Sequence, residues 1–266
     1  MPEILVRGSG DVGSAVAIYL FRAGYDVVIH EGVQPTTTRR MMAFADAVFD
    51  GISTLEDVKC KKVDDFLMLG DILIRHDVIP LLIEEFSKTV DFLLPQILVD
   101  ARMRKHLQPE TQIHLAPLTI GLGPNFIVGE TTHLVIETAR GDFLGHIIER
   151  GSARPLQGEP TAIEGHARDR YLYAPVPGQF FTTCQIGDMV EAGQKIAQIN
   201  STPLFAPIGG VLRGLTRNDV PVAQKTKIVE IDPRIGHAQI SGMAERPARI
   251  AEGVLLAIQK WEADKK

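Results

Sequence analysis

Cysteine is scarce in this chain, and its charge shows no basic excess. Two cysteines, Cys60 and Cys184, occur in 266 residues. They are too few and too far apart for a disulfide framework or a metal knuckle, which fits a reducing cytoplasm. Lysine plus arginine number 28 against 33 aspartates and glutamates, a formal net charge of −5. Without a basic field, a dedicated nucleic-acid binder is not expected. No apolar run reaches the ~18 residues of a membrane span. The start, Met1-Pro2-Glu3-Ile4, lacks a basic region followed by a long apolar stretch, so no secretory signal is expected. The Walker pattern and G-x-S-x-G are missing, and the scattered histidines lack metal-binding spacing.

What is present is the composition of a folded globular protein, 45% hydrophobic and 23% charged. Its length suits one large domain or two modest ones, at about 100–200 residues each. The first half alternates strands and helices. Ile4–Arg7 is a short apolar strand, Ser14–Ala23 has apolar residues at helical spacing, and Asp26–Glu31 is a second strand. Ile97–Val99, Leu118–Ile120 and Leu134–Ile136 are continuous apolar strands, as expected in a parallel sheet covered on both faces. The segment from Cys60 to Ile83 is ambiguous. From Tyr171 to Asp232, short strands alternate with Gly, Pro and Asp turns, the pattern of a small barrel or sandwich. Met243–Trp261 has a helical period. The expected architecture is therefore α/β. It comprises a Rossmann-like, mostly parallel sheet over 1–165, a biotinyl/lipoyl-like β module over 166–235, and a C-terminal helix over 236–266 packing on the first domain. The stretch where a carrier lysine would stand, Ile199-Asn200-Ser201-Thr202-Pro203, contains none, so the module is expected to dock rather than carry a prosthetic arm.

The candidate site begins at Gly8-Ser9-Gly10-Asp11-Val12-Gly13, a G-x-G-x-x-G match between a strand and a helix. Gly8 suits a tight turn, Gly10 a close backbone approach to a pyrophosphate, and Gly13 close helix packing, with the helix N-terminus facing an anion. Glu31 ends the next strand, where it suits ribose hydroxyls. The later strands end in Asp100 and Arg102 (with Lys105), Gly121, Gly123 and Asn125, and Glu137 and Arg140. Strand ends of an open sheet line a ligand crevice. Arg39 and Arg40 lie in a loop that could clamp an anionic ligand.

The order of Val6-Arg7-Gly8-Ser9-Gly10-Asp11, Asp100-Ala101-Arg102-Met103-Arg104-Lys105, Gly121-Leu122-Gly123-Pro124-Asn125-Phe126 and Glu137-Thr138-Ala139-Arg140-Gly141 resembles the YqeB-type accessory family of selenium-dependent molybdenum hydroxylases. The resemblance implies a cytoplasmic protein that helps mature a molybdenum hydroxylase, its partner. It would bind a nucleotide-type or phosphate-bearing small molecule, such as NAD or a molybdenum-pterin dinucleotide. Two alternatives stay open. One is an NAD-dependent oxidoreductase using Lys105 or His106 as acid/base. The other is a non-catalytic scaffold. Neither nucleic acid nor membrane is an expected partner, and a homo-oligomer is left open.

Overall fold

The computed structural model describes residues 3–104, 107–156, 158 and 160–265. The chain divides into two compact units. The first comprises Met1–Val33, Ala43–Leu156 and Met243–Lys266; the second comprises Gln34–Met42 and Gln157–Gly242.

The first unit is built on a nine-stranded sheet. In chain order its elements are β1 (Ile4–Arg7), α1 (Asp11–Arg22), β2 (Val27–His30), α2 (Ala47–Asp50), β3 (Ile52–Leu55), β4 (Val58–Lys62), α3 (Leu69–Arg75), β5 (Ile79–Leu82), α4 (Phe86–Leu93), β6 (Ile97–Asp100), β7 (Leu118–Leu122), β8 (Leu134–Ile136) and β9 (Ile147–Ile148). The spatial order is β3-β4-β5-β2-β1-β6-β7-β8-β9. Across the sheet from β4 to β8 every pairing is parallel, while β3 and β9 close the two edges antiparallel. β1, β2, β5, β6 and β7 are buried along their whole length. Apolar side chains on both faces of each strand need cover from both sides, which accounts for their unbroken hydrophobic runs.

The second unit holds two antiparallel four-stranded sheets. Its strands are β10 (Tyr171–Tyr173), β11 (Gly178–Phe181), β12 (Met189–Val190), β13 (Lys195–Ile199), β14 (Thr202–Phe205), β15 (Gly210–Leu215), β16 (Pro221–Val222) and β17 (Lys227–Asp232). They are ordered β10-β17-β15-β12 and β14-β13-β11-β16. Phe180, Ile199, Leu212, Leu215 and Ile231 are fully buried in its core.

The expected Rossmann-like plus biotinyl/lipoyl-like architecture is corrected on two points. Among the described residues no helix lies in the β6–β7 or β7–β8 crossover, so the sheet is not doubly wound by helices throughout. The β unit is not a self-contained linear module. It incorporates Gln34–Met42, where Leu215 N donates to Thr38 O and the Arg40 guanidinium donates to Leu215 O. The C-terminal helix α5 (Glu245–Ala263) lies within the first unit. Its Ile250, Ala251, Val254, Ala257 and Ile258 belong to the principal core of the first unit. Gly253 lets α5 come so close that an added Cβ would lie 2.0 Å from Gly145 O. Among the described residues no helix is long and apolar enough to cross a membrane.

Candidate functional site

The register of the parallel strands sets the site. Arg7 at the end of β1 pairs with His30 on β2 and with Asp100 on β6. The chain runs from β1 outward through β2 to β5, then returns to β6 on the opposite side of β1. This reversal is where open α/β sheets leave a crevice at their carboxyl edge.

Two arginines and two carboxylates meet there. Asp100 is 2% exposed. Its carboxylate accepts from Arg102 Nε at 3.0 and 3.1 Å and from Gln112 Nε2 at 2.8 Å. It also lies 3.8 Å from Arg7 Nη1. A single oxygen of Glu110 then bridges both guanidiniums, accepting from Arg7 Nη1 and, at 2.9 Å, from Arg102 Nη2. The Arg7 guanidinium stacks on Phe86, 3.4 Å from the ring centroid, and Phe86 meets His30 edge-on. Arg7 Nε is buried and has no hydrogen-bond partner among the described residues.

These contacts set the titration of the cluster. Burial lowers the Arg7 pKa, and the Arg102 charge adds to the effect. For Arg102 burial acts downward, but Asp100 and Glu110 outweigh it and the net shift is upward. Burial would raise the Glu110 carboxyl, but a bond to its own backbone amide and the two arginines bring it down to about 2. Burial also lowers the His30 pKa, and its Nε2 lies 2.8 Å from Glu84 O.

The glycine loop is braced from within at Ser9. Ser9 N and Ser9 Oγ donate to Glu31 Oε2 at 2.7 and 2.8 Å, and Gly32 N donates to Glu31 Oε1 at 2.7 Å. One amide of the loop, that of Ser9, is thus held by the carboxylate expected to meet a ribose. Gly8 has φ +111, and an added Cβ would lie 3.2 Å from the backbone of Ala101 and Arg102. A Cβ on Gly13 would lie 1.9 Å from Gly8 O. Both glycines serve close packing. Gly10 is the N-cap of α1, Asp11 accepts from Val12 N, and Val12 is buried.

Of the other expected site residues, only Asp100 and Arg102 enter the cluster. A Cβ on Gly121 would lie 2.2 Å from the Phe126 ring, and one on Gly123 would lie 2.8 Å from Thr138 Oγ1. Both therefore mark packing rather than ligand approach. Asn125 donates to Leu107 O. Glu137 is 3% exposed and accepts from the amides of Thr138, Ala139 and Arg154, so it organises the turn after β8. Arg140 follows on that turn and is exposed. Arg39 and Arg40 belong to the second unit, where they bind Glu230 and Leu215 O. Lys105 and His106 lie outside the described residues. The residues not anticipated from sequence are Arg7, Phe86, Glu110 and Gln112. Among the described residues, no three His, Cys, Asp or Glu side chains gather as a metal site.

The chain is 36% identical over 255 residues to the uncharacterized protein YqeB of Escherichia coli (strain K12), covering 96% of this chain and 47% of that one. The chain thus spans about half the length of the curated relative it matches, and the similarity supports the YqeB-type resemblance. No family model matches. Among solved structures, the chain is similar to a succinylglutamate desuccinylase/aspartoacylase from Rhodobacter sphaeroides. That match is 17% identical and covers 56% of this chain and 63% of that one, with a TM-score of 0.23. It is also similar to the product-bound ectoine utilization protein EutE (DoeB) from Ruegeria pomeroyi. Here identity is 12%, coverage is 86% and 84%, and the TM-score is 0.25.

The expectation of a nucleotide-binding maturation protein for a selenium-dependent molybdenum hydroxylase is corrected, together with the NAD oxidoreductase alternative. Glu31, the expected ribose ligand, is committed to the Ser9 amide and hydroxyl of the loop. Arg39 and Arg40, the expected anion clamp, are committed to contacts inside the second unit.

Proposed function

We propose that the strand-end cluster of the first unit binds a small carboxylate-bearing molecule between the guanidiniums of Arg7 and Arg102. One observation carries this reading: a single Glu110 oxygen already bridges both arginines, while the Glu110 side chain is 46% exposed. A buried arginine pair that accepts one carboxylate presents the same donors to another of matching charge and shape. Asp100 and Gln112 hold Arg102 and Arg7 from beneath, so the donors are oriented before a ligand arrives. Phe86 adds an apolar wall beside the Arg7 guanidinium. Glu110 is then the resident occupant, a tethered competitor that an incoming carboxylate displaces. The two free cysteines suit work in a reducing cytoplasm.

Calorimetric titration with succinate, a simple dicarboxylate, tests the reading, with chloride at matched ionic strength as reference. Removing the tethered competitor in Glu110→Ala should tighten succinate by about tenfold. Removing a donor in Arg102→Gln should weaken it by about tenfold or more. Equal succinate affinity in wild type, E110A and R102Q would remove the site.

A further inference from the structure

The second unit gathers a charge cluster of its own. Glu230 and Asp232 stand two residues apart on β17, so they share a face of the strand. Both are fully buried. Arg39 grips Glu230 with two bonds of 2.9 Å, and Lys227 Nζ donates to it at 3.1 Å. Arg170 and Arg213 approach the same carboxylate at 3.8 and 3.7 Å. Arg213 also faces Asp232 at 3.8 Å, and Arg234 holds Asp232 through two bonds. Five cations thus share two carboxylates. Glu164 is the further acid that acts on Arg234.

Two guanidinium donors in this cluster are left over. Arg170 and Arg213 side chains are 3% and 9% exposed. Arg170 uses Nε on His166 O and Nη2 on Thr161 O and the Tyr171 hydroxyl. Its Nη1 has no hydrogen-bond partner among the described residues, and neither has Arg213 Nε. Buried donors are nearly always satisfied, and buried charge is nearly always balanced. Here donors and positive charge are in surplus at one place.

We infer that this cluster is a binding site for a compact, multiply charged oxyanion of sulfate size, held by Arg170 and Arg213 beside Glu230. Such an ion offers acceptors in several directions and supplies the missing negative charge. Both arginines reach the same Glu230 oxygen, so their leftover donors arise from one small region, which favours a compact ion over an extended one. The strap residue Arg39 is joined to the same carboxylate, so an ion there would also steady the Gln34–Met42 segment on the β unit.

Calorimetric titration of the full chain with sodium sulfate, against chloride at matched ionic strength, is the test. Wild type should show saturable binding at one site per chain. Arg213→Gln should weaken it by about tenfold or more, because a charged donor is lost. If circular dichroism shows that R213Q does not fold, Lys227→Gln decides, since Lys227 is 34% exposed; about threefold weakening is expected. Lys260→Gln, in the other unit and outside both clusters, should leave sulfate binding unchanged. No saturable heat in wild type overturns the inference. So does undiminished affinity in the second-unit variant that folds, or loss of sulfate binding in K260Q, which would place the ion outside the second unit.

Discussion

Ser9 and Glu31 close on each other: one carboxylate oxygen accepts from both the backbone amide and the hydroxyl of the same serine, at 2.7 and 2.8 Å. The link ties the turn after β1 to the end of β2. Hydrogen bonds to a charged group contribute about 1.5–3 kcal/mol each, so Glu31→Ala should destabilise the protein by about 2 kcal/mol. Urea denaturation of the two proteins measures the difference. Titration of wild type with NAD, NADP or ATP should give no saturable heat. A saturable signal abolished by Gly10→Val would restore a nucleotide to the loop.

Two glycines make a second prediction, because their neighbours are backbone atoms that cannot step aside. A Cβ at Gly13 would lie 1.9 Å from Gly8 O, and one at Gly253 would lie 2.0 Å from Gly145 O. In an open helix, Gly→Ala stabilises by about 1 kcal/mol. Here overpacking reverses the sign, and each Ala variant should lose about 2 kcal/mol or more. Gly24 is the control, with φ +93 and nothing within 4 Å of an added Cβ. Gly24→Ala should cost only the left-handed strain, about 1 kcal/mol. A smaller thermal shift for G13A than for G24A would contradict the packing account.

The strands that carry the site were legible because burial on both faces leaves an unbroken apolar run, as in Ile97–Val99 and Leu118–Ile120. The hairpin of β3 and β4 was not. Its turn, Glu56-Asp57, holds positive φ at both residues, +51 and +64, with side chains that give none of the Asn-Gly signal such turns usually carry. At the site, Asp100 and Arg102 stood out as a polar cluster ending a strand. Glu110 and Gln112 did not, because they come from a loop with no period and reach the cluster only through tertiary structure. The glycine loop misled for a related reason. Gly8 and Gly13 meet a steric demand that any close strand–helix turn imposes, and the spacing alone does not reveal that Glu31 reaches back to Ser9.

Cysteine reactivity should divide cleanly. Cys60 on β4 is fully buried, and burial pushes its thiol far up from the ordinary value. The thiolate is the reactive form, so Cys60 should resist a water-soluble disulfide reagent in the native protein. Cys184 is half-buried and should react first. A colorimetric thiol assay should find one fast thiol natively and a second only in denaturant. Two fast native thiols would mean that β4 opens readily.

The last prediction concerns acid. Glu110 titrates at about 2 in the folded chain, because its own amide and the Arg7 and Arg102 guanidiniums favour the charged form over the opposing effect of burial. Its unfolded value is that of an ordinary glutamate, about 4.3. The unfolded chain therefore takes up the proton first as pH falls, and stability from this group is lost between those two values. Above the upper value the contribution is complete; below the lower one it is gone. Half-exposure of the side chain screens the pair, so the effect is best read as a difference between two proteins. Wild type and Glu110→Gln should diverge in unfolding midpoint at neutral pH and converge as the solution is acidified through that window. Salt should narrow the gap at neutral pH, since part of the attraction reaches solvent. A gap that stays constant across the same pH range would mean that Glu110 holds the two arginines by shape alone, and that its charge is not what an external carboxylate must replace.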